Sequence, residues 1–117
     1  MNSIDFISKT FKQLSKEELY QILQLRAEVF VVEQNCPYQD LDDLDFDSYH
    51  LCGYLHEKLV AYSRVIKPGL KYSGSSISRV ITKSTVRNLG AGKALIKESI
   101  NECRTVSYTH LTLPTKA

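Results

Sequence analysis

The stretch that decides the fold is RVITKSTVRNLGAGKAL, residues 79–95. A short β-branched run at residues 80–82 leads through a polar turn to Gly90 and Gly92, after which the pattern becomes helical. This order predicts a strand, an anion-binding loop and a helix. The first amides of such a helix lack partners within it and lie at the positive end of its dipole, so the loop favours a phosphate-bearing ligand.

The spacing of the glycines and their neighbours limits which class of phosphate-bearing ligand the loop can bind. A nucleotide-binding P-loop requires a glycine where Arg87 stands and a hydroxyl residue where the chain has Ala94. A dinucleotide fingerprint that begins at Gly90 would end at Leu95, which is too large for close packing of the helix on the strand. The pattern Arg-x-x-Gly-x-Gly, which starts at Arg87, remains. A strand-turn-helix junction in which the glycines only permit a tight turn stays open as the alternative.

The length, charge and composition of the chain limit the class of protein to which it can belong. The 117 residues carry a formal net charge of +2, with 43% hydrophobic and 24% charged residues, which is typical of one small globular domain. No apolar run approaches a membrane span, and the first residues lack the order of a secretory signal, so we expect a cytoplasmic protein without a membrane partner. The small charge and the lack of a lysine or arginine stripe argue against nucleic acid.

Cysteines and aspartates are the residues that suggest a metal or a disulfide. Cys36, Cys52 and Cys103 are odd in number and widely spaced, so reduced thiols are expected rather than disulfides or a metal knuckle. The alternating aspartates between Asp40 and Asp47 lack the glycine and the terminal glutamate of an EF-hand, and no metal is expected. Two interpretations of this segment stay open: a solvated acidic loop, or a negative surface that attracts a cationic amine.

The first part of the chain predicts a weak strand at residues 7–13 and then a strongly marked helix. Ser15 and Glu18 form a capping box, with leucines at the two hydrophobic-staple positions. One helix face, with Arg26 in line, is expected to pack on a sheet, and the helix should end near Val31 or Val32. The apolar members of that face are Leu19, Ile22, Leu23, Val29 and Phe30.

Beyond the acidic segment, the pattern predicts a hairpin with strands at residues 48–55 and 59–66, and another strand at residues 77–82. A second helix then follows the glycine loop and should end near Cys103. Its expected apolar stripe consists of Gly92, Ile96, Ile100 and Cys103. In residues 104–117 a weak pattern is compatible with one more strand, carried by Val106, Tyr108, Leu111 and Leu113.

Two separate motifs resemble the GNAT acetyltransferase superfamily. The Arg-x-x-Gly-x-Gly pattern resembles its pyrophosphate loop. The run LRAEVFVVEQNCPY at residues 25–38, followed by Asp40, Asp42, Asp45 and the His50-Leu51 pair, is similar to the signature of the ElaA-type branch. The resemblance implies an α/β (α+β) fold with a mixed, mostly antiparallel sheet flanked by helices. It covers about residues 7–103, so residues 1–103 are expected to form two-thirds of an acetyltransferase domain that lacks its C-terminal strands, and residues 104–117 an atypical tail foreign to the family.

The resemblance implies acetyl-CoA as the cofactor. It places the pantetheine arm against the backbone of Val80, Ile81 and Thr82. It places the pyrophosphate on the loop residues Arg87, Asn88, Leu89, Gly90, Ala91, Gly92 and Lys93. The sequence departs from the usual pattern at Ser84, where proline is common, and at Asn88, where glycine is common. Asparagine tolerates left-handed backbone better than most residues, so the second departure is compatible with the loop.

Acetyl transfer to a small amine or a protein amino group requires a base, because such amines are mostly protonated at neutral pH. Glu33 and His50 are candidate bases, with a helix-end cap and an ordinary strand histidine as the respective alternatives. Arg79 is expected either to orient the strand end or an acidic group, or to form a surface salt bridge. A backbone N–H of the central strand would polarise the donor carbonyl. Tyr108 lies in no family motif for a catalytic acid and is given no role.

Two other functions stay open. The chain is also compatible with a coenzyme A-binding module without turnover. A third possibility is a structural fragment whose open sheet edge pairs with another chain, for example in a homo-oligomer. The sequence does not identify the acceptor amine.

Overall fold

The computed structural model describes residues 3–35 and 39–109. Four antiparallel strands form one sheet in the order β1-β2-β3-β4, and helices flank it, which confirms the predicted fold class. The strands are β1 Asp5–Thr10, β2 Ser48–Leu55, β3 Lys58–Ile66 and β4 Ser76–Thr82. The long helices are α1 Lys16–Arg26 and α2 Ala91–Thr109. A π-helix covers Ala27–Glu33, and 3₁₀ helices cover Phe11–Gln13, Leu44–Asp47 and Ser84–Leu89.

Two consecutive capping boxes set the chain path between β1 and α1. The predicted box at the start of α1 is present: the Glu18 N–H donates to the Ser15 hydroxyl at 3.0 Å, and the Ser15 N–H donates to the Glu18 carboxylate at 2.8 Å. A second box joins Thr10 to Gln13, whose side chain accepts from the Thr10 N–H at 2.9 Å. This second box ends β1 at Thr10, so the strand predicted to reach residue 13 is shorter than expected.

Helix α1 and the π-helix cover one face of the sheet. Ile22, Leu25 and Val29 are buried there against Cys52, Leu59, Tyr62 and Ile81. The π-helix ends at Glu33, one or two residues after the predicted end. The predicted apolar face is confirmed at its buried centre, and Leu19, Leu23 and Phe30 lie half-buried at its margins.

Helix α2 covers the opposite face, and its buried stripe differs from the predicted one. Ala91, Leu95, Ser99 and Val106 are buried, whereas Ile96 and Ile100 are 53% and 40% exposed. The buried stripe combines two larger apolar residues, Leu95 and Val106, with the smaller Ala91 and Ser99. At Ser99 the helix lies close to β3, where the Ser63 and Ser99 hydroxyls are 2.7 Å apart.

Helix α2 also continues past the predicted end at Cys103 to Thr109. The strand proposed for Val106 and Tyr108 is therefore wrong, because both residues are helical and Val106 is buried on the sheet. Leu111 and Leu113 lie outside the described residues, as does Cys36. Cys52 and Cys103 are free thiols, and burial raises the pKa of Cys52 to about 12.

Two searches of the described ranges bear on membrane and metal. None of their helices is long and apolar enough to cross a lipid bilayer. The same ranges contain no group of three or more His, Cys, Asp or Glu side chains arranged to hold a metal ion.

Candidate functional site

The predicted glycine loop is a 3₁₀ turn that enters α2 through Gly90. Gly90 has φ of +78°, a conformation that glycine adopts without strain, and its carbonyl accepts the first helical hydrogen bond, from the Ala94 N–H at 3.1 Å. Because an α-helix bonds each N–H to the carbonyl four residues earlier, the amides of residues 91–93 have no acceptor within α2. Three backbone donors and the positive end of the helix dipole therefore meet at this loop.

The two glycines of the loop have different physical requirements. Gly90 needs its positive φ for the turn, as any tight junction would. Gly92 has no positive φ, and a Cβ built on it would have no atom within 4 Å apart from its chain neighbours and the backbone of its own helix. The tight-turn interpretation therefore accounts for Gly90 but gives no reason for Gly92, whereas a ligand that approaches the helix amides would need the open space above Gly92.

The outer edge of β4 carries backbone groups that face away from the sheet. The Lys83 N–H donates to the Val60 carbonyl on β3 at 2.7 Å, so the Thr82 carbonyl of the same trans peptide points outward. The Arg87 guanidinium reaches this carbonyl, with Nη2 at 2.8 Å and Nε at 3.2 Å. No strand pairs with this edge in residues 3–35 or 39–109, and Val80 is 42% exposed.

Two ion pairs connect the π-helix to this edge and to the loop. Glu33 Oε1 accepts from Arg87 Nη2 at 2.7 Å, and both carboxylate oxygens of Glu28 lie 3.3 Å from Lys83 Nζ. The structure thus brings the candidate base Glu33 together with the predicted pyrophosphate arginine. Both pairs are partly open to solvent.

Three arginines from different elements converge on the acidic segment. We call this set the charge network: Arg26 from α1, Arg64 from β3, Arg79 from β4, and the carboxylates Asp40, Asp42 and Asp45. Asp45 Oδ1 is shared, at 2.8 Å from Arg26 Nη1 and 2.9 Å from Arg64 Nη1, and both arginines are 0% exposed. Asp42 binds Arg64 through both oxygens at 2.8 Å.

This network corrects the interpretation of a solvated acidic loop. Asp40, Asp42 and Asp45 are neutralised by three guanidiniums, and Asp43 and Asp47 alone among the five aspartates of residues 39–47 are exposed. The network carries three positive and three negative charges. The network itself is therefore neutral, but Asp43 and Asp47 give residues 39–47 two more carboxylates than the three guanidiniums balance, so the attraction of a cationic amine stays a prediction.

Four members of the network, Arg26, Arg64, Asp42 and Asp45, have pKa values shifted in favour of their charged forms. Hydrogen bonds from Arg64 lower the pKa of Asp42 to about 2. Burial acts to raise the pKa of Asp45, but hydrogen bonds from Arg26 and Arg64 outweigh it, and the net shift is downward. Burial acts to lower the pKa of both buried arginines, and their carboxylate partners outweigh it in turn.

The candidate base His50 is completely buried and both of its ring nitrogens are engaged. Nε2 lies 2.9 Å from the Asp45 carbonyl, which can only accept, so Nε2 carries the proton. Nδ1 lies 2.6 Å from the Tyr62 hydroxyl and accepts from it. Burial lowers the pKa of His50 and raises that of Tyr62, so both are neutral. This geometry matches the strand-histidine alternative and offers no ring nitrogen to an acceptor amine.

Arg64 and Tyr62 are the residues of this region that the sequence analysis missed. They stand in the otherwise apolar strand β3, and polar groups in such a run are a signal of buried partners. The predicted role of Arg79 in orienting an acidic group agrees with its bonds to Asp40 and Asp42.

Comparison with known proteins identifies a family and several relatives that the chain resembles. Residues 16–117 match the model of the acetyltransferase (GNAT) family. The ElaA protein of Escherichia coli strain K12 is 43% identical over 93 residues, which cover 78% of this chain and 61% of that protein. The chain therefore spans about 61% of the length of this curated relative.

Solved structures show the same likeness. The crystal structure of Escherichia coli ElaA superposes with a TM-score of 0.80 at 39% identity, over 86% of this chain and 70% of that one. An acyl-CoA N-acyltransferase from Pseudomonas aeruginosa superposes with a TM-score of 0.79 at 40% identity, over 85% of this chain and 69% of that one.

Proposed function

Because the chain belongs to the GNAT acetyltransferase family, we propose that it binds acetyl-CoA and transfers the acetyl group to an amine. The observation that carries this proposal is the juxtaposition of three elements: the helix amides of residues 91–93, the open space at Gly92 and the outward Thr82 carbonyl on the edge of β4. A ligand with a diphosphate at one end and amides along its arm has the chemistry that these elements accept.

The residues that would hold acetyl-CoA fall into two groups. The outer edge of β4 offers backbone donors and acceptors to the amides of the pantetheine arm, through Val80, Ile81 and Thr82. The loop offers amide donors and one guanidinium to the diphosphate, through Arg87, Asn88, Leu89, Gly90, Ala91, Gly92 and Lys93. Both groups lie at one end of β4, which fits a single extended ligand.

Acetyl-CoA supplies an acetyl thioester, whose carbonyl carbon is open to attack by a neutral amine. In the reaction a C–N bond forms, the C–S bond breaks and the thiol leaves with a proton. The protein's part is to orient the thioester along β4, to polarise its carbonyl by a backbone N–H and to remove the amine proton. We assign this last role to Glu33, directly or through water, because its carboxylate is partly exposed beside the edge of β4, where its partner Arg87 also binds the Thr82 carbonyl.

The acceptor is proposed to be a small amine or a protein amino group. With the cofactor on β4, an acceptor would approach beside the end of the π-helix, where Glu33 stands. Glu28 and Glu33 are two carboxylates at this edge, where they pair with Lys83 and Arg87.

Calorimetry with acetyl-CoA, followed by thiol release with a panel of amines, tests the proposal. We expect a dissociation constant between about 1 μM and 1 mM and thiol release with at least one amine. Binding without release for any amine would instead identify a coenzyme A-binding module. A folded sample that binds no acetyl-CoA contradicts the proposal.

Gly92→Leu makes the binding test specific to the loop. The new Cβ has no atom within 4 Å apart from its chain neighbours and the backbone of its own helix, so the fold should tolerate the change, while the side chain fills the space above the helix amides. Acetyl-CoA affinity should fall by about tenfold or more, since the diphosphate loses close approach to the backbone donors. Asn101→Leu, at an exposed position of the same helix, is the matched control and should leave affinity unchanged.

A further inference from the structure

Strand β4 contains a bulge whose first residue has an unusual backbone. Tyr62 pairs with Ile81 and Arg64 pairs with Ser78, so Arg79 and Val80 together lie opposite Ser63. Arg79 has φ of +54°, in the left-handed region that residues with a Cβ rarely adopt. A bulge of this kind normally places glycine at that position. An arginine there needs a compensating interaction, and strain of this sort points to a functional requirement.

The compensating interaction is a set of charged hydrogen bonds to the acidic segment. Arg79 Nε donates to Asp40 Oδ1 at 2.7 Å, and Nη2 donates to the Asp40 backbone carbonyl at 2.7 Å. Nη2 also lies 3.3 Å from Asp42 Oδ2. The guanidinium thus bonds both the side chain and the main chain of Asp40 through two separate nitrogens, a fixed spacing that the single nitrogen of a lysine does not reproduce.

The position of Arg79 differs from that of the other two arginines of the charge network. Arg26 and Arg64 join the acidic segment to α1 and to the centre of the sheet. Arg79 joins it to β4, immediately before residues 80–82, of which Thr82 has its carbonyl facing outward. Its side chain therefore links residues 39–47 to the bulge of β4 directly, while Arg64 adds a second connection through Nε, which donates to the Ser78 hydroxyl at 3.0 Å.

We propose that Arg79 is a positioning residue that holds the β4 bulge and thereby sets the direction of the backbone groups of residues 80–82. It acts through the backbone and through Asp40, and it contacts neither substrate. This inference rests on the proposed function for its catalytic consequence, but its structural part concerns the ligand-free protein. The acidic segment and the β4 edge should accordingly loosen together when the link is cut.

Amide hydrogen exchange of the ligand-free protein tests the structural part, with Arg79→Gly as the main variant. Glycine adopts the positive φ without strain, so this change removes the link while it permits the bulge. Exchange should quicken by about tenfold or more both in residues 39–47 and in residues 80–82, because the loss of charged hydrogen bonds favours local opening. Lys9→Gly is the matched control: it places glycine in the edge strand β1 and removes the Lys9–Glu18 pair, and it should quicken neither segment.

The conservative variant Arg79→Lys separates positioning from simple charge. A lysine keeps one bond to a carboxylate but loses the paired grip on Asp40, so its exchange rates should lie between those of the wild type and Arg79→Gly. If Arg79→Gly fails to fold, Arg79→Lys alone carries the test, with an increase of about threefold expected in both segments.

Kinetics test the catalytic part on the folded fraction of each variant. With saturating acetyl-CoA, kcat per folded molecule of Arg79→Gly should fall by about tenfold or more, because the thioester is held less accurately. The KM for the amine should change by less than about threefold, since Arg79 does not contact the acceptor. A residue with only a structural role would lower the folded fraction and leave kcat per folded molecule unchanged.

The outcomes separate this inference from the proposed function. Unchanged exchange in Arg79→Gly, or quickening in residues 39–47 alone, overturns the positioning role whether or not the protein binds acetyl-CoA. A wild-type protein that binds no acetyl-CoA overturns the proposed function and leaves the exchange result standing. Quickened exchange together with an unchanged kcat restricts Arg79 to a structural role and overturns its catalytic consequence.

Discussion

The charge network and the Arg87–Glu33 pair at the glycine loop are both built from guanidinium and carboxylate groups, but their surroundings differ. Arg26 and Asp45 meet at 2.8 Å inside the protein, and Arg87 and Glu33 meet at 2.7 Å on its surface. The distances are nearly equal, but Arg26 is 0% exposed and Arg87 is 41% exposed. Surroundings, not distance, therefore separate the two regions.

The difference decides whether the partners can be exchanged. A buried guanidinium that loses its carboxylate has no water to replace it, so breaking the buried part of the network should strongly destabilise the folded state. An exposed guanidinium is solvated whenever its partner leaves, and it can pass to a ligand phosphate at small cost. The buried region is thus suited to holding the strands, and the surface region to binding a ligand that comes and goes.

The largest effect should come from Asp45→Ala in the buried region. The change leaves two fully buried guanidiniums short of an acceptor, and we expect a loss of about 3–5 kcal/mol in the free energy of unfolding. Urea denaturation measures it. Asp47→Ala, in the same 3₁₀ turn but exposed, should change stability by less than about 0.5 kcal/mol. Equal effects for the two variants would show that burial does not distinguish the carboxylates.

The next effect concerns Arg87→Ala in the surface region. Acetyl-CoA binding should weaken by about ten- to a hundredfold, since a hydrogen bond to a charged group contributes about 1.5–3 kcal/mol. The free energy of unfolding should change by less than about 1 kcal/mol, because the pair is exposed. Calorimetry and denaturation measure the two quantities. Lys9→Ala, which breaks another surface pair away from the loop, should leave binding unchanged; a large loss of stability in Arg87→Ala would contradict the exchangeable pair.

Acid should destabilise the protein through the buried region in two stages. The pKa of His50 is lowered by burial from 6.5, so the unfolded state binds a proton more readily and stability should decline as pH falls below about 6.5. Asp42, with a pKa of about 2 against 3.8 unperturbed, contributes stability that is present above pH 4 and should be lost towards pH 2, by about 1–2 kcal/mol.

Unfolding free energies measured from pH 7 to pH 2 test this order. Glu33→Gln, which removes an exposed carboxylate, should keep both stages of the profile. Asp42→Asn should flatten the second stage. A wild-type profile without any decline between pH 6.5 and pH 4 would contradict the neutral buried state of His50.

The smallest effect on binding should come from Glu33→Gln, and the sign of this change in affinity matters more than its size. Arg87 no longer has to leave a carboxylate, so acetyl-CoA should bind about two- to fivefold more tightly. If Glu33 is the base, kcat should fall by about a hundredfold in the same variant. Glu28→Gln removes the neighbouring pair with Lys83 and should do neither. Weaker binding would contradict competition for Arg87, and an unchanged kcat would contradict the catalytic role.

The sequence predicts features whose residues lie close together along the chain better than features that join distant residues. Neighbouring residues determine the start of α1, the hairpin and the glycine loop. The structure has all three where they were predicted. The capping box that ends β1 is also visible in nearby residues, since Thr10 and Gln13 fit the pattern. The predicted strand at residues 7–13 overlooks it. The buried charge network joins residues up to 39 positions apart, and no local pattern pairs Arg79 with Asp40.

Burial accounts for the remaining differences between the predicted and the observed structure. His50 looked like a base because its residue type is suited to the role, but only the packing of β2 and β3 shows that both nitrogens are occupied. The stripe of α2 was assigned to isoleucines because hydrophobicity was the available signal, whereas the buried stripe combines Leu95 and Val106 with Ala91 and Ser99. Whether residues 80–82 and 87–93 bind acetyl-CoA stays a prediction.

The π-helix makes the site depend on how the backbone is wound. Its hydrogen bonds repeat at five residues instead of four, so Glu28 and Glu33, five positions apart, can both face the β4 edge and the glycine loop, where they pair with Lys83 and Arg87. In a regular α-helix, residues three or four apart share a face, and these two would diverge. A regular helix of the same length would therefore leave only one glutamate within reach of its partner. At this place the hydrogen-bond pattern of the backbone, rather than the identity of the residues, decides whether Lys83 and Arg87 both find a partner.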